Sequence, residues 1–311
     1  PLAYPQMGWD ILEPESVLAQ QLLESDADFT ILLSHLGWRF DEQAAMTFDN
    51  LNLILGAHTH HLYEYGKYIN DTMLAAAGRY GEYVGEVTLR FDDDFQCIQS
   101  EIMAEDVHHL AVLPGDKEWI QHQVNQGHER LRACQVAQLS QAFTNRLPEY
   151  EATQFVAGII GEYYQVPAVV LNSGMIVEEI PQQLTLDDLH DILPHSIRMV
   201  KFTVTGLELL SIMQELYDIG NYLKTQRIVG MGFRGKQFGD IVTRGLDNQN
   251  NELLYQGSPV ILTQTYAILV PDQYLFASYF PILKSSGSAE IQFPKFMREI
   301  IADDLSNRDN S

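Results

Sequence analysis

The chain has 311 residues, 46% of them apolar and 20% charged, enough to bury more than one core, so two domains are expected. Its 42 acidic and 19 basic side chains give a formal charge of -23, which repels nucleic-acid backbones and anionic membrane surfaces and argues against both as partners. A phosphate-bearing ligand would have to be met locally, by metal ions or by a few placed arginines and backbone amides, because the overall field opposes it.

The opening Pro1-Leu2-Ala3-Tyr4-Pro5 reads as loop from the interior of a protein, and no basic-then-apolar leader stands there. A helix is predicted from Pro14 to Glu24, where Val17, Leu18, Gln21 and Leu22 fall at helical spacing. The strand Phe29 to Leu33 follows and ends in Ser34-His35-Leu36-Gly37. A helix from Asp41 to Phe48 leads to the strand Leu51 to Leu55, which ends in Gly56-Ala57-His58-Thr59-His60. Strand, helix, strand is the grammar of an α/β layer. Alternation over 67–70, 72–76 and 83–91 predicts an antiparallel continuation with Gly78, Gly81 and Gly85 at its turns.

Beyond Asp106, Pro114-Gly115-Asp116 makes a turn and cap, and Ile120, Val124, Gly127 and Leu131 stripe a polar connector helix. A second domain opens near Ala133 with a strand. It continues through a helix from Tyr150 to Tyr164, the apolar strand Ala168 to Leu171, a helix Leu186 to Leu193 capped by Thr185, and a strand Met199 to Val204. An amphipathic helix from Gly206 to Tyr217, a β-rich stretch from Val260 to Leu269 and a helix from Pro294 to Leu305 close the chain, with Asn307 to Ser311 as a polar tail. Cys97 and Cys134 are too few for a disulfide framework and sit in alternating apolar stretches, so buried free thiols and a reducing compartment are expected; the location expected is cytoplasmic, with export of the parent protein left open by the loop-like opening. No run of about 18 apolar residues predicts a membrane span.

Chemistry concentrates in His35, His58 and His60. Two strands each deliver histidine where the chain leaves the sheet, the usual place for a ligand site in open α/β sheets. In a near-extended stretch His58 and His60 share a side and His61 points away, to solvent or loop packing. Neutral imidazole is a common ligand for zinc and similar ions, and paired metals can clamp the attacking and leaving oxygens of a phosphate ester. A single histidine after a strand is more often a hydrogen-bonded loop residue; the grouping of three is what raises the metal reading.

Ser34-His35-Leu36-Gly37, Gly56-Ala57-His58-Thr59-His60, Asn70-x-Thr72 and Gly78-Arg79-Tyr80-Gly81-x-x-Val84-Gly85 resemble the closing motifs of the calcineurin-like metallophosphatase domain of the 5'-nucleotidase and UDP-sugar hydrolase family. Asn172-Ser173-Gly174, Leu184-Thr185-x-x-Asp188-Leu189, Ile192-Leu193-Pro194 and Val204-Thr205-Gly206-x-Glu208-Leu209 are similar, in order and spacing, to that family's C-terminal domain. Gly232-Phe233-Arg234-Gly235-Lys236 and the Tyr266 region look closer to a cytoplasmic-type branch of Gram-positive bacteria than to the secreted members. The resemblance implies two divalent metal ions, manganese, zinc or similar, with His35 and His58 on one and His60 on the other. It implies a fold of the α/β (α+β) class. The expected layout is the C-terminal part of a four-layer αββα metallophosphatase sandwich at 1–105, a connector helix at 106–132, and a mixed α/β substrate-binding domain at 133–311.

The chain also departs from the family. Val177 stands where an arginine helps hold substrate, and the aromatic motif of the nucleobase sandwich is not evident around Tyr279 to Ser288. Asn172, Gly174, Arg146, Phe233 and Arg234 are the candidate substrate-binding residues, the arginines because a guanidinium fork holds phosphate. Ordinary surface arginines and a core phenylalanine are the competing accounts. The family's earlier motifs, which carry the bridging carboxylate and the general acid, have no counterpart here, and Asp26, Asp28 and Asp41 make no convincing bridge, Asp41 reading as a helix cap. The expectation is therefore a piece of a longer two-metal phosphoesterase acting on a nucleotide-like small phosphorylated metabolite, lacking its N-terminal segment. Alone it would bind metal weakly, hydrolyse little and carry no confident catalytic residue. A non-catalytic ligand-binding module and a cyclic phosphodiesterase on the same scaffold are the alternatives.

Overall fold

Two short apolar strands, β1 (Ile31–Ser34) and β2 (Leu53–Gly56), pair in parallel with Ser34 opposite Gly56, which sets the chain segments that follow them side by side. A computed structural model describes residues 10–226, 228, 232–250 and 252–309; the opening Pro1-Leu2-Ala3-Tyr4-Pro5 lies outside them. The described residues divide into two compact units, the smaller over Ile11–Lys117 and the larger from Glu118 onward together with Asp10.

In the smaller unit, α1 (Pro14–Glu24) and α2 (Trp38–Thr47) flank β1, and β3 (Lys67–Ile69) and β4 (Thr72–Ala75) complete a sheet of order β1-β2-β4-β3. The expected antiparallel continuation holds for β3 against β4, but β4 joins β2 in parallel. Parallel strands are apolar on both faces because both are normally covered. Here Ile54 and Leu74 pack with Leu22, Ala44 and Ala45 of the two helices. On the other face Leu53, Met73 and Ala75 meet Ile102, Val87 and Leu89 of the antiparallel hairpin β5 (Tyr83–Phe91) and β6 (Cys97–Asp106). Leu33, on the β1 edge, remains 77% exposed.

The larger unit begins within α3 (Asp116–Arg132), none of whose residues is buried. It continues through β7 (Gln135–Gln138), α4 (Glu151–Tyr164), β8 (Ala168–Asn172), β9 (Gln183–Thr185), α5 (Leu186–Ile192), β10 (Met199–Thr205) and α6 (Gly206–Leu223). The strands β11 (Ile241–Arg244), β12 (Leu246–Gln249), β13 (Glu252–Tyr255), β14 (Ser258–Pro259) and β15 (Thr265–Pro271) follow, then α7 (Asp272–Phe276), α8 (Pro281–Ser285), β16 (Ser288–Ile291) and α9 (Met297–Asp309). A mixed sheet of order β11-β8-β15-β10-β16 is its centre, and every residue of β8 is buried. Thr185 and Thr205 each cap the helix that follows with a complete capping box, Asp188 and Glu208 returning the bond to the cap backbone.

Cys97 and Cys134, expected to be buried, are both exposed and unpaired. Cys97 opens β6 just past the register shift at Arg90/Phe91, and Cys134 lies between α3 and β7, so neither inherits the burial of the alternating residues nearby. No helix among the described residues is long and apolar enough to cross a membrane.

Candidate functional site

His35 follows the last residue of β1, and His58 stands two residues beyond β2, so the parallel pairing delivers both to the same end of the sheet. Their ring centroids are 5.2 Å apart, edge to face, and both residues are exposed. His60 does not join them: its ring lies beside Tyr80, with centroids 6.3 Å apart. The reason is backbone conformation. His58 and His60 both sit in the left-handed region, at φ 69° and 54°, so the stretch is curled and the two-residue periodicity of an extended strand does not apply. Non-glycine residues held in that region store strain, which a surrounding structure must compensate.

Behind the loop lies a polar cluster that was not apparent from the sequence. The Ser34 hydroxyl donates to Asp41 Oδ1, and Asp41 is only 1% exposed. Asp41 is therefore no helix cap; it stands inside the first turn of α2, after Gly37 at the N-cap, and faces the sheet. His61 Nδ1 is 3.0 Å from Thr59 Oγ1, and its ring packs edge to face on Tyr63 with centroids 4.6 Å apart. Burial pushes the Asp41 carboxyl up, against the Ser34 bond, and pushes the His61 imidazole down, against the pull of Asp41 and Glu42. Glu42, bonded to Lys67 and to the Tyr63 hydroxyl, is held below the usual carboxylate range.

Two converging imidazoles suit a divalent ion as part of a ligand set. They do not complete one: among the described residues no group of three or more His, Cys, Asp or Glu side chains is placed to hold a metal ion.

The second candidate region is a cleft of about 290 Å³ in the larger unit, lined by Asn145, Tyr150, Gly174, Val177, Lys224 and Lys236 among others. Its floor is the turn after β8. Asn145 Nδ2 clamps that turn by donating to the carbonyls of Ser173 and Ile176, both at 2.8 Å, and Thr153 Oγ1 orients Asn145 by donating to its Oδ1 at 2.7 Å. At one wall the Tyr150 hydroxyl donates to Asp240 Oδ2, and Lys224 reaches Asp240 Oδ1 at 2.6 Å. Burial pushes Asp240 up, but the Lys224 and Tyr150 bonds outweigh it and hold the carboxyl below its ordinary value; Tyr150 is pushed up to about 12, by burial first.

Gly174 lines this cleft. Asn172 lies beneath it, fully buried, donating to the Phe238 carbonyl at 2.6 Å and accepting from the Tyr274 hydroxyl at 3.0 Å. Arg146 is 80% exposed and paired with Glu179 at 2.7 Å. Phe233 is buried and stacked on His195, with ring centroids 4.9 Å apart, and Arg234 donates its backbone N–H to His195 Nδ1 at 2.8 Å. The structure thus gathers Gly174, Val177, Tyr150 and two lysines at one cleft and leaves Arg146, Phe233 and Arg234 outside its lining. No spacing rule marks Tyr150, Lys224 and Asp240 as partners, because they come from three separate elements.

No family model matches the chain. It is 29% identical over 317 residues to the uncharacterized metallophosphoesterase YunD of Bacillus subtilis, covering 96% of this chain and 68% of that protein. A shorter stretch of 97 residues, 30% of the chain, is 31% identical to 6% of the trifunctional nucleotide phosphoesterase protein YfkN of the same organism. Among solved structures, a candidate 5'-nucleotidase of Staphylococcus aureus superposes with a TM-score of 0.53 at 16% identity, over 96% of this chain and 65% of that one. The chain thus spans about two thirds of the length of these near-full-coverage relatives. The sequence relative supports the metallophosphoesterase superfamily, and the mixed α/β architecture with its several sheets matches 5'-nucleotidase-like folds.

Proposed function

We propose that this chain contributes to a metal-dependent phosphoesterase centre acting on a nucleotide or related small phosphate ester, with His35 and His58 as ligands of one ion and His60 at a second. The observation that carries this reading is the convergence of the His35 and His58 rings at the ends of two adjacent parallel strands. The metallophosphoesterase relative supports it over nearly the whole chain. Divalent ions supply Lewis-acid activation of a phosphoryl oxygen. The chain's own share is to hold such an ion on two imidazoles and to offer the cleft at Gly174, with Lys236 on its rim, to an anionic ligand. Because the described residues group no carboxylate with those imidazoles, we infer that the chain by itself binds metal weakly and hydrolyses little. The free, exposed thiols of Cys97 and Cys134 support a reducing, cytoplasmic location.

The test is manganese- or zinc-dependent cleavage of a chromogenic phosphate monoester and diester by a polypeptide of the relatives' full length. His35→Ala and His58→Ala should each lower the rate by at least about 100-fold, as expected when a metal ligand is lost. Activity indifferent to both substitutions ends the metallohydrolase reading. Val177 in the cleft, where the family resemblance expects an arginine, favours a second reading, a non-catalytic module that holds its ligand in the cleft. Nucleotide binding that survives both substitutions, with no turnover in the native protein, would establish it.

A further inference from the structure

We propose that Asp41 and His61 form a buried hydrogen-bonded pair that positions the loops carrying His35, His58 and His60, a role that rests on the metal reading above. Two relays of donors end at this pair. On one side the Leu36 N–H donates to Ser34 Oγ at 3.3 Å, and the Ser34 hydroxyl donates to Asp41 Oδ1. On the other, the Trp38 N–H donates to Thr59 Oγ1 at 3.1 Å, and Thr59 Oγ1 lies 3.0 Å from His61 Nδ1, where the proposed pair has the Thr59 hydroxyl as donor. A neutral His61 whose Nδ1 accepts carries its proton on Nε2.

Nε2 of His61 and Oδ2 of Asp41 are both buried and without a hydrogen-bond partner. One is then a donor lacking an acceptor, the other an acceptor lacking a donor, and leaving either unmet away from water is costly. They border the same small space. A Cβ built on Gly56 would fall 2.6 Å from Asp41 Oδ2 and 3.5 Å from His61 Cε1, so the missing side chain at position 56 is what lets the two approach. A side-chain rotation that turns Nε2 onto Oδ2 closes the bond and joins the relays into one strap.

Ser34 immediately precedes His35, Thr59 lies between His58 and His60, and His61 follows them, so the strap touches the chain beside every candidate ligand. It holds His58 and His60 in the left-handed conformation that an unsupported loop would relax. Asp41 and His61 are positioning residues: they act through the ligand-bearing backbone and reach no substrate.

The first readout needs no metal. Long-range ¹⁵N–¹H spectra of the histidine-labelled chain, with His61 assigned from His61→Gln, should show the Nε2–H tautomer with a slowly exchanging proton. That proton should exchange fast in Asp41→Asn and in Gly56→Ala. An Nδ1–H tautomer, or a signal untouched by both substitutions, overturns the pair. The second readout is zinc titration followed on the His35 and His58 resonances. Asp41→Asn and Gly56→Ala should weaken binding by about 10-fold or more, while Glu42→Gln, next in sequence but bonded to Lys67, stays within about twofold of wild type. Equal affinities in all three would overturn the positioning role. A wild-type chain that shows the tautomer and binds no zinc overturns the metal reading and the positioning role with it, and is told apart by the surviving Nε2–H signal.

Discussion

His195 is 3% exposed, and both of its nitrogens are used: Nε2 lies 2.8 Å from the Met175 carbonyl, and Nδ1 accepts from the Arg234 N–H. That arrangement requires the neutral ring with its proton on Nε2, and burial pushes the imidazole down to about 4. Because the folded value lies below the ordinary one, the unfolded chain takes up a proton that the folded chain refuses. The stability is complete above about pH 6.5 and is lost as pH falls toward 4, amounting to about 3 kcal/mol across the window. Asp272 opposes this, since burial raises its carboxyl to about 6 and stability gained there grows as pH falls. The clean readout is therefore the difference in urea midpoint between wild type and His195→Gln, which should shrink between pH 7 and pH 4.5. Gly174 gives a second residue-scale prediction. An added Cβ would fall 1.9 Å from the Gln237 carbonyl oxygen and 2.5 Å from that of Phe238, both backbone atoms, so Gly174→Ala should destabilise by about 3 kcal/mol in denaturant titration.

Helix starts are where single residues decide an element. Thr205 accepts from the Glu208 N–H at 3.3 Å, while Glu208 takes the Thr205 N–H at 2.7 Å and the Gly287 N–H at 3.0 Å, tying α6 to the segment before β16. Thr205→Ala should cost about 1 kcal/mol in thermal or urea unfolding, and Glu208→Ala more, because the Gly287 bond is lost as well. The Thr185 cap was readable in the sequence because its chemistry is local, a threonine three residues before an acidic side chain at the head of an apolar run; Thr205 stands in the same pattern, and its cap emerges from the structure. The apolar strands β1 and β2 were readable for the same reason, and with them the placement of His35 and His58 at the sheet's end, whereas β9, β11 to β14 and β16 were not. What was not readable is non-local. The curl at His58 and His60 depends on Thr59 meeting Trp38 and His61, and Asp41 reads as a cap until Ser34 is brought against it by the fold. Alternation around Cys97 suggested burial, whereas the hairpin buries only the residues that face Leu53, Met73 and Ala75.

At the scale of the whole chain, the excess of 42 acidic over 19 basic side chains is a standing repulsion that the fold must overcome. The opposing attractions are local and mostly at the surface. Arg308 bridges Asp304 and Glu162, both at 2.6 Å, and Lys295 meets Asp303 at 2.5 Å, yet each of these partners except Asp304 has a side chain at least 40% exposed. Exposed pairs contribute about 0–1 kcal/mol and weaken as salt screens them. Added salt thus acts on two terms of opposite sign, and with a net charge of -23 the long-range repulsion is the larger. Raising sodium chloride from 0.01 to 0.3 M shortens the screening length several-fold from about 30 Å, so the thermal midpoint should rise by a few degrees, on the order of 1 kcal/mol. The rise should shrink at pH 5, where carboxylates begin to neutralise and the net charge falls. Sucrose, which strengthens burial without screening charge, should stabilise equally at both pH values. A midpoint that falls with sodium chloride would mean that the surface pairs, and not the net charge, govern the electrostatics of this chain.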